Sequence, residues 1–268
     1  MADGSIHIAE SPLAPGASPV RIQYREWGTG QPVVLLHGGW GYEIYPFDRQ
    51  IAAFEATRRI VAPDRTGYGG SNGLRDLPTD FHQRAAEETI RVLDALGLER
   101  PILWGHSDGA VIALRLGLTA PWRVTGIIAE ATHFFRNKPA SRGFFETMRD
   151  APDRLGERVA AVLAHDHGAE WRRLIHLNGA AWLGIGTEGG DLYDGRLGDL
   201  QVPTLVIHGE RDPRTEPGEL DAIRHALAAH RVALLPTGGH SPHSERGTAD
   251  EVTRIALEWI ADREDDDR

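Results

Sequence analysis

Short apolar runs alternate with longer helical patterns along most of this chain. That rhythm constrains the fold more than any other feature, because strands joined through helices pair in parallel. After an opening pair, Ser5 to Ala9 and Val20 to Trp27, come Val33 to Leu36, Arg59 to Ala62, Ile102 to Trp104, Val124 to Ala129, Thr204 to Ile207 and Val232 to Leu235. The opening pair alternates apolar with polar residues and reads as an antiparallel edge hairpin with one solvated face. The later runs are mostly continuous in apolar residues, as strands buried on both faces are. The expectation is an α/β fold with about eight strands in a mostly parallel sheet flanked by helices.

Helix signals fill the intervals. Ala86, Ile90 and Leu93 are spaced i, i+4, i+7, and Gly97 follows as a left-handed stop. Near the end, Thr248 and Glu251 fit a capping box, and Val252, Ile255, Ala256, Trp259 and Ile260 form one apolar stripe. Glu264 to Arg268 is a charged tail, expected to be unstructured. From about Phe135 to Gly198 the strand rhythm stops, leaving helical patterns, Trp171 and Trp182, and the loop-forming Gly184, Gly186, Gly189 and Gly190. This stretch reads as a mostly helical insertion covering one end of the sheet, so 1–134 and 199–268 form the core and 135–198 the insertion.

The 268 residues suit one large domain or a core with one insertion, and 41% hydrophobic against 25% charged residues supply a sizeable core. A formal net charge of −10 repels phosphate backbones and anionic headgroups, so neither nucleic acid nor a membrane surface is expected as partner. With no cysteine, disulfides, thiolate metal sites and a thiol nucleophile are excluded. The first thirty residues carry Asp3, Glu10 and three prolines without a long apolar stretch, so neither signal peptide nor membrane span is read there and a cytoplasmic location is expected.

The chemistry starts at Trp104-Gly105-His106-Ser107-Asp108-Gly109, a G-x-S-x-G pattern directly after an apolar strand and before an Ala/Leu-rich helical run. A serine on such a strained turn needs small neighbours, and the helix N-terminus behind it favours negative charge. The hydroxyl is a weak nucleophile until a base takes its proton, which calls for a histidine and an orienting carboxylate further on. Asp212 follows one strand and His240 follows the last, so Ser107, Asp212 and His240 come in the order Ser, acid, His, each at the C-terminal end of an expected strand.

With these residues in view the chain resembles the α/β-hydrolase superfamily. His37-Gly38-Gly39-Trp40-Gly41 after the third strand, Asp64-Arg65-Thr66-Gly67-Tyr68-Gly69-Gly70-Ser71, similar to D-x-x-G-x-G-x-S, and the Gly-His-Ser-Pro-His stretch from Gly239 add to the likeness, which runs from about Arg21 to Ala261. The resemblance implies an eight-stranded sheet with a helical cap inserted after strand six. It also implies an oxyanion hole made of the backbone N–H of Asp108 and that of Gly39 or Trp40.

Competing assignments remain. His243 is a second histidine of the same loop, assigned to capping or lining it, and His240 is preferred as base. Glu130 ends strand six, where some superfamily members carry the acid. Asp212 is preferred for its Gly-x-x-Asp context, with Glu210 as its adjacent decoy. Glu130 would then hold a loop or face the substrate. Asp108 puts a carboxylate beside the oxyanion hole, either as a first-turn acid or as a receptor for a cationic or hydrogen-bond-donating substrate group. Trp40, Trp171 and Trp182 are candidates for an apolar pocket or for plain core. His165-Asp166-His167 resembles a metal cluster, but i, i+2 residues on a helix point apart, so a solvated segment is expected. The Gly-rich Thr66 to Gly73 lacks the ending of a phosphate loop.

The reading is a cofactor-free and metal-free serine hydrolase of a small carboxylic ester, working through an acyl-enzyme on a small-molecule substrate, as monomer or homodimer. The same residues would serve a carbon–carbon bond hydrolase, an amidase or aminopeptidase, or a perhydrolase. Serine at 107 argues against a dehalogenase, and a ligand receptor without turnover has no need of a strained serine.

Overall fold

A computed structural model of the chain describes residues 2–266. The strands are β1 (Ala2–Ile8), β2 (Val20–Trp27), β3 (Gln31–Leu36), β4 (Arg58–Pro63), β5 (Ile102–His106), β6 (Gly126–Glu130), β7 (Thr204–Gly209) and β8 (Arg231–Leu235). The α-helices are α1 (Asp48–Phe54), α2 (Phe81–Ala95), α3 (Asp108–Thr119), α4 (Arg142–Asp150), α5 (Glu157–His167), α6 (Trp171–Ile185), α7 (Glu219–Ala226) and α8 (Ala249–Asp266). The strands form one eight-stranded sheet in the order β1-β2-β4-β3-β5-β6-β7-β8. Pairings β1–β2 and β2–β4 are antiparallel and the rest parallel, as the change in hydrophobic pattern after Trp27 predicts.

Continuous apolar runs arise because both sheet faces are covered. Val33 and Leu35 pack with Phe54 and Trp259 on the side of α1 and α8, whereas Val34 and Leu36 pack with Phe81 and Leu114 on the side of α2 and α3. Each such side chain, fully buried, stabilises the fold by about 2 kcal/mol before entropy is counted. The edge strand β8 is less covered than expected, with only Leu235 buried.

Three local expectations change. Thr248 turns its hydroxyl to the Pro242 carbonyl at 2.8 Å, so no capping box forms; the chain folds back there to close the histidine loop. Helix α8 continues to Asp266, so Glu264 to Asp266 are helical rather than unstructured, and 267–268 lie outside the described residues. Strand β6 starts at Gly126 and reaches Glu130, while β1 starts at Ala2. Gly97 has φ +62°, the left-handed stop expected after α2.

The helical stretch between β6 and β7 is tied down where it leaves the sheet. Glu219 of α7 accepts the backbone N–H of Phe134 at 2.7 Å and of Phe135 at 3.1 Å, and pairs with the buried Lys138. Phe135 bridges Asp191, joining the outgoing and returning segments. Helices α4 and α6 pack against each other and present aromatic side chains towards the C-terminal end of β5.

Candidate active site

The turn between β5 and α3 is strained in the way the motif requires. Ser107 has φ +54° and ψ −120°, a conformation costly for a residue with a Cβ. Its flanking glycines have no substitute, since a Cβ on Gly105 would lie 2.1 Å from the Gly109 carbonyl oxygen and one on Gly109 would lie 2.0 Å from that of Leu36. The turn is held by the Ser107 N–H donating to the Glu130 carbonyl at 2.9 Å.

Loops after β7 and β8 bring two further groups to this serine. Ser107 Oγ lies 3.0 Å from His240 Nε2, and His240 Nδ1 lies 2.8 Å from Asp212 Oδ2. With Nδ1–H donating to the carboxylate, Nε2 is the lone-pair nitrogen and faces the serine hydroxyl. The other Asp212 oxygen accepts the Arg214 N–H at 2.8 Å, and His208 Nε2 lies 3.4 Å from Oδ2. Burial raises the Asp212 carboxyl, but the charge and hydrogen bonds of His240 and His208 hold it far below the usual carboxylate range. Burial also pushes His240 below its ordinary value near 6.5; Asp212 opposes this, and Arg214 and His208 add to it. Glu245 shapes the histidine loop by accepting the N–H groups of Gly239 at 2.8 Å and Ser241 at 3.0 Å. Glu210, the decoy, is exposed.

Beside Ser107 is a narrow cavity, lined among others by Gly39, Trp40, Asp108, His133, Trp182 and His240. The backbone N–H groups of Gly39, Trp40 and Asp108 border it and donate to no acceptor within the chain among the described residues. Unused backbone donors thus stand next to a hydroxyl. Trp182 lines the wall and stacks on Phe145 with centroids 5.2 Å apart, whereas Trp171 is core.

Two expected substrate contacts are otherwise engaged. The Asp108 carboxylate lines the cavity, yet accepts hydrogen bonds from His82 Nε2 and Trp182 Nε1, both at 3.1 Å, and from Asn178 Nδ2 at 3.4 Å. It thereby knots α3 to α2 and α6, with little capacity left for a substrate amine. Burial raises its carboxyl, but the His82 hydrogen bond leads the effects that bring it below its ordinary value. Glu130 is fully buried and takes no part in the cavity wall. Its carboxylate meets Nδ1 of His243 at 2.7 Å, the His243 N–H at 2.9 Å and the Trp104 indole N–H at 3.1 Å. Glu130 is thus the loop-holding residue and His243 its partner.

Of His165-Asp166-His167 only His165 is exposed as expected; the side chains of Asp166 and His167 are 3% and 2% exposed. His167 accepts the Gly69 N–H at Nδ1 and donates from Nε2 to the Trp40 carbonyl, both at 2.9 Å, while Asp166 faces Arg25 at 3.7 Å. The end of α5 therefore clamps the loop that carries Trp40. The residues were legible; what they would meet, from loops about a hundred positions earlier, was not. Sequence reasoning also missed His133, whose Nε2 lies 3.5 Å from Ser107 Oγ, and Arg214 in the cavity wall. Neither belongs to a spaced motif, although the position of Arg214 two residues after Asp212 is a usable signal.

Comparison with known proteins agrees with this architecture. Residues 33–254 match the model of the alpha/beta hydrolase family. The chain is 27% identical over 255 residues to the Homo sapiens protein named Serine hydrolase BPHL, covering 90% of this chain and 83% of that one. It is 26% identical over 242 residues to a protein of Azorhizobium caulinodans named Putative carbamate hydrolase RutD, covering 82% of this chain and 88% of its relative. A thermophilic esterase from Thermogutta terrifontis has the same fold, with a TM-score of 0.73 at 22% identity over 97% of this chain and 99% of its own. With the strand order, the serine turn and a family match that spans most of its length, the chain belongs to the alpha/beta hydrolase family.

Proposed function

We propose that this protein hydrolyses small carboxylic esters through an acyl-enzyme, with Ser107 as nucleophile, His240 as general base and acid, and Asp212 as the residue that orients the imidazole. The observation that carries this reading is the unbroken hydrogen-bonded path from Ser107 Oγ through His240 to Asp212, opening on a cavity edged by unused N–H donors. Ser107 Oγ bonds to the ester carbonyl carbon while its proton passes to His240 Nε2. The carbonyl oxygen becomes an oxyanion facing the N–H of Asp108 and that of Gly39 or Trp40, and each such donor lowers the barrier by about 3 kcal/mol. The carbon–oxygen bond to the alcohol then breaks and His240 returns the proton to the leaving alkoxide. Water repeats the sequence: its proton goes to His240, its oxygen bonds to the acyl carbon, the bond to Ser107 breaks, and the proton returns to Oγ.

The reading requires no metal or cofactor. The helical stretch 135–198 serves as the cap: its Phe145 and Trp182 narrow the cavity to small substrates and keep bulk water off the intermediate. The names of the two relatives, a serine hydrolase and a putative carbamate hydrolase, support acyl chemistry at this site. A fluorophosphonate probe tests the assignment. It should label the native protein at Ser107, and Ser107→Ala should lose both the label and turnover of p-nitrophenyl acetate. Labelling that persists in the variant at another serine would remove Ser107 as nucleophile.

A further inference from the structure

The cavity beside Ser107 carries a positive charge that no carboxylate among the described residues contacts. Arg214, on the loop between β7 and α7, contributes to its wall. Its backbone is fixed on both sides: the N–H donates to Asp212 Oδ1 at 2.8 Å, and the carbonyl accepts from Lys138 Nζ at 2.9 Å and Ser141 Oγ at 3.4 Å. The guanidinium itself makes no ion pair or hydrogen bond to an acceptor among the described residues; it lies against aromatic rings, with its carbon 3.5 Å from the centroid of Phe144 and 5.4 Å from that of Trp40. At 3.5 Å a guanidinium fits only face-on, so its N–H edge runs along the ring and stays free to donate.

The two carboxylates near it are already committed. Asp212 serves His240 and His208, and Asp108 serves His82, Trp182 and Asn178. Burial works against the Arg214 charge, and Tyr45 with the nearby charges of Asp212 and Asp108, none of them in hydrogen-bonding contact with it, offsets only part of that cost. An anion entering the cavity would complete the pairing, and a planar fork of donors matches a carboxylate bidentately.

We propose that Arg214 receives a carboxylate of the substrate, so that the preferred substrates are small esters bearing a second, ionised carboxyl group. The proposal rests on the reading of Ser107 as nucleophile and names the substrate class. It opposes the cationic preference that the sequence position of Asp108 suggests.

The test compares methyl hydrogen succinate with methyl succinamate, which replaces the carboxylate by an amide of nearly the same shape. In the native enzyme kcat/KM should favour the hemi-ester by about tenfold or more, the size of a charged hydrogen-bonding pair. Arg214→Gln should bring the ratio close to one and Arg214→Lys should keep part of it. Equal kcat/KM for both esters in the native enzyme, or equal losses on both in Arg214→Gln, would overturn the proposal. Inhibition of the native enzyme gives a second measure that needs no variant: succinate should compete at least about tenfold better than succinamide at equal ionic strength, and equal competition would count against the site. The two readings fail separately. If esters are turned over with no charge preference, only the Arg214 proposal falls. If no ester is turned over, the nucleophile reading falls, and stabilisation of the native protein by succinate, present there and lost in Arg214→Gln, still decides the carboxylate site.

Discussion

Two imidazole–carboxylate pairs lie in this molecule on either side of one ring. His240 with Asp212 and His243 with Glu130 have nearly equal contacts, 2.8 and 2.7 Å from Nδ1 to carboxylate oxygen, and His106 packs between them at 5.2 and 4.9 Å. Their histidines are three positions apart on the same loop. The difference is what the other ring nitrogen meets. His240 Nε2 faces a hydroxyl that can give it a proton, with 9% of the side chain open to the cavity; His243 Nε2 faces the Tyr45 carbonyl at 3.0 Å, and its ring is stacked on Phe47 with no exposure. A carboxylate beside a histidine is therefore no signature of catalysis. The group opposite the distal nitrogen, and access to it, separate a ring placed to act as a base from one that braces a loop.

The sharpest way to break this contrast is to delete each histidine in turn. His240→Ala should lower kcat on p-nitrophenyl acetate by about 10⁶-fold with little change in thermal midpoint. Asp212→Asn, which leaves the shape and spoils the tautomer, should cost about 10⁴-fold. His243→Ala should instead destabilise the protein by about 3 kcal/mol in urea unfolding, because Glu130 loses its main partner in a fully buried site, while kcat of the folded enzyme stays within about tenfold of native. A kcat collapse in a well-folded His243→Ala protein would show that the brace also acts in the reaction.

Smaller effects sharpen the comparison through pH. His37, His82, His106, His133 and His240 are all held below the ordinary histidine value, chiefly by burial. As pH falls through about 6.5 the unfolded chain takes up these protons and the folded one resists, so the unfolding midpoint should start to drop there. Glu130 and Asp212, held low, support the fold above the ordinary carboxylate range and lose that contribution only as pH falls through their own lowered values. A midpoint flat down to pH 4.5 would contradict the histidine shifts. The smallest expected change is in the acid limb of kcat/KM, which should lie below pH 6.5 in the native enzyme. That limb should move upward in Arg214→Gln, because the guanidinium helps push His240 down. An unchanged limb would mean the charge is screened.

Much of this was legible in the residue order. The serine turn was readable because Gly105 and Gly109 are demanded by backbone approach within a few residues, and Asp212 and His240 because each lies on the loop that follows a recognisable strand. Asp108 was legible as a cavity-facing carboxylate, but its three donors come from α2 and α6, and nothing in its neighbours announces His82, Asn178 or Trp182. His167 was misread as solvated for the same reason, since its partners Gly69 and Trp40 lie 98 and 127 residues away.

Residue order was sufficient for the parallel sheet, the helical stretch inside it and the strained serine, because alternation, helical spacing and glycine requirements act over short distances along the chain. Which imidazole became free to take a proton, which carboxylate was used up, and which arginine was left bare in the cavity depended on groups that meet only once the chain has folded. An ionisable side chain draws its role from the charges and donors across from it, and these are set by packing in three dimensions.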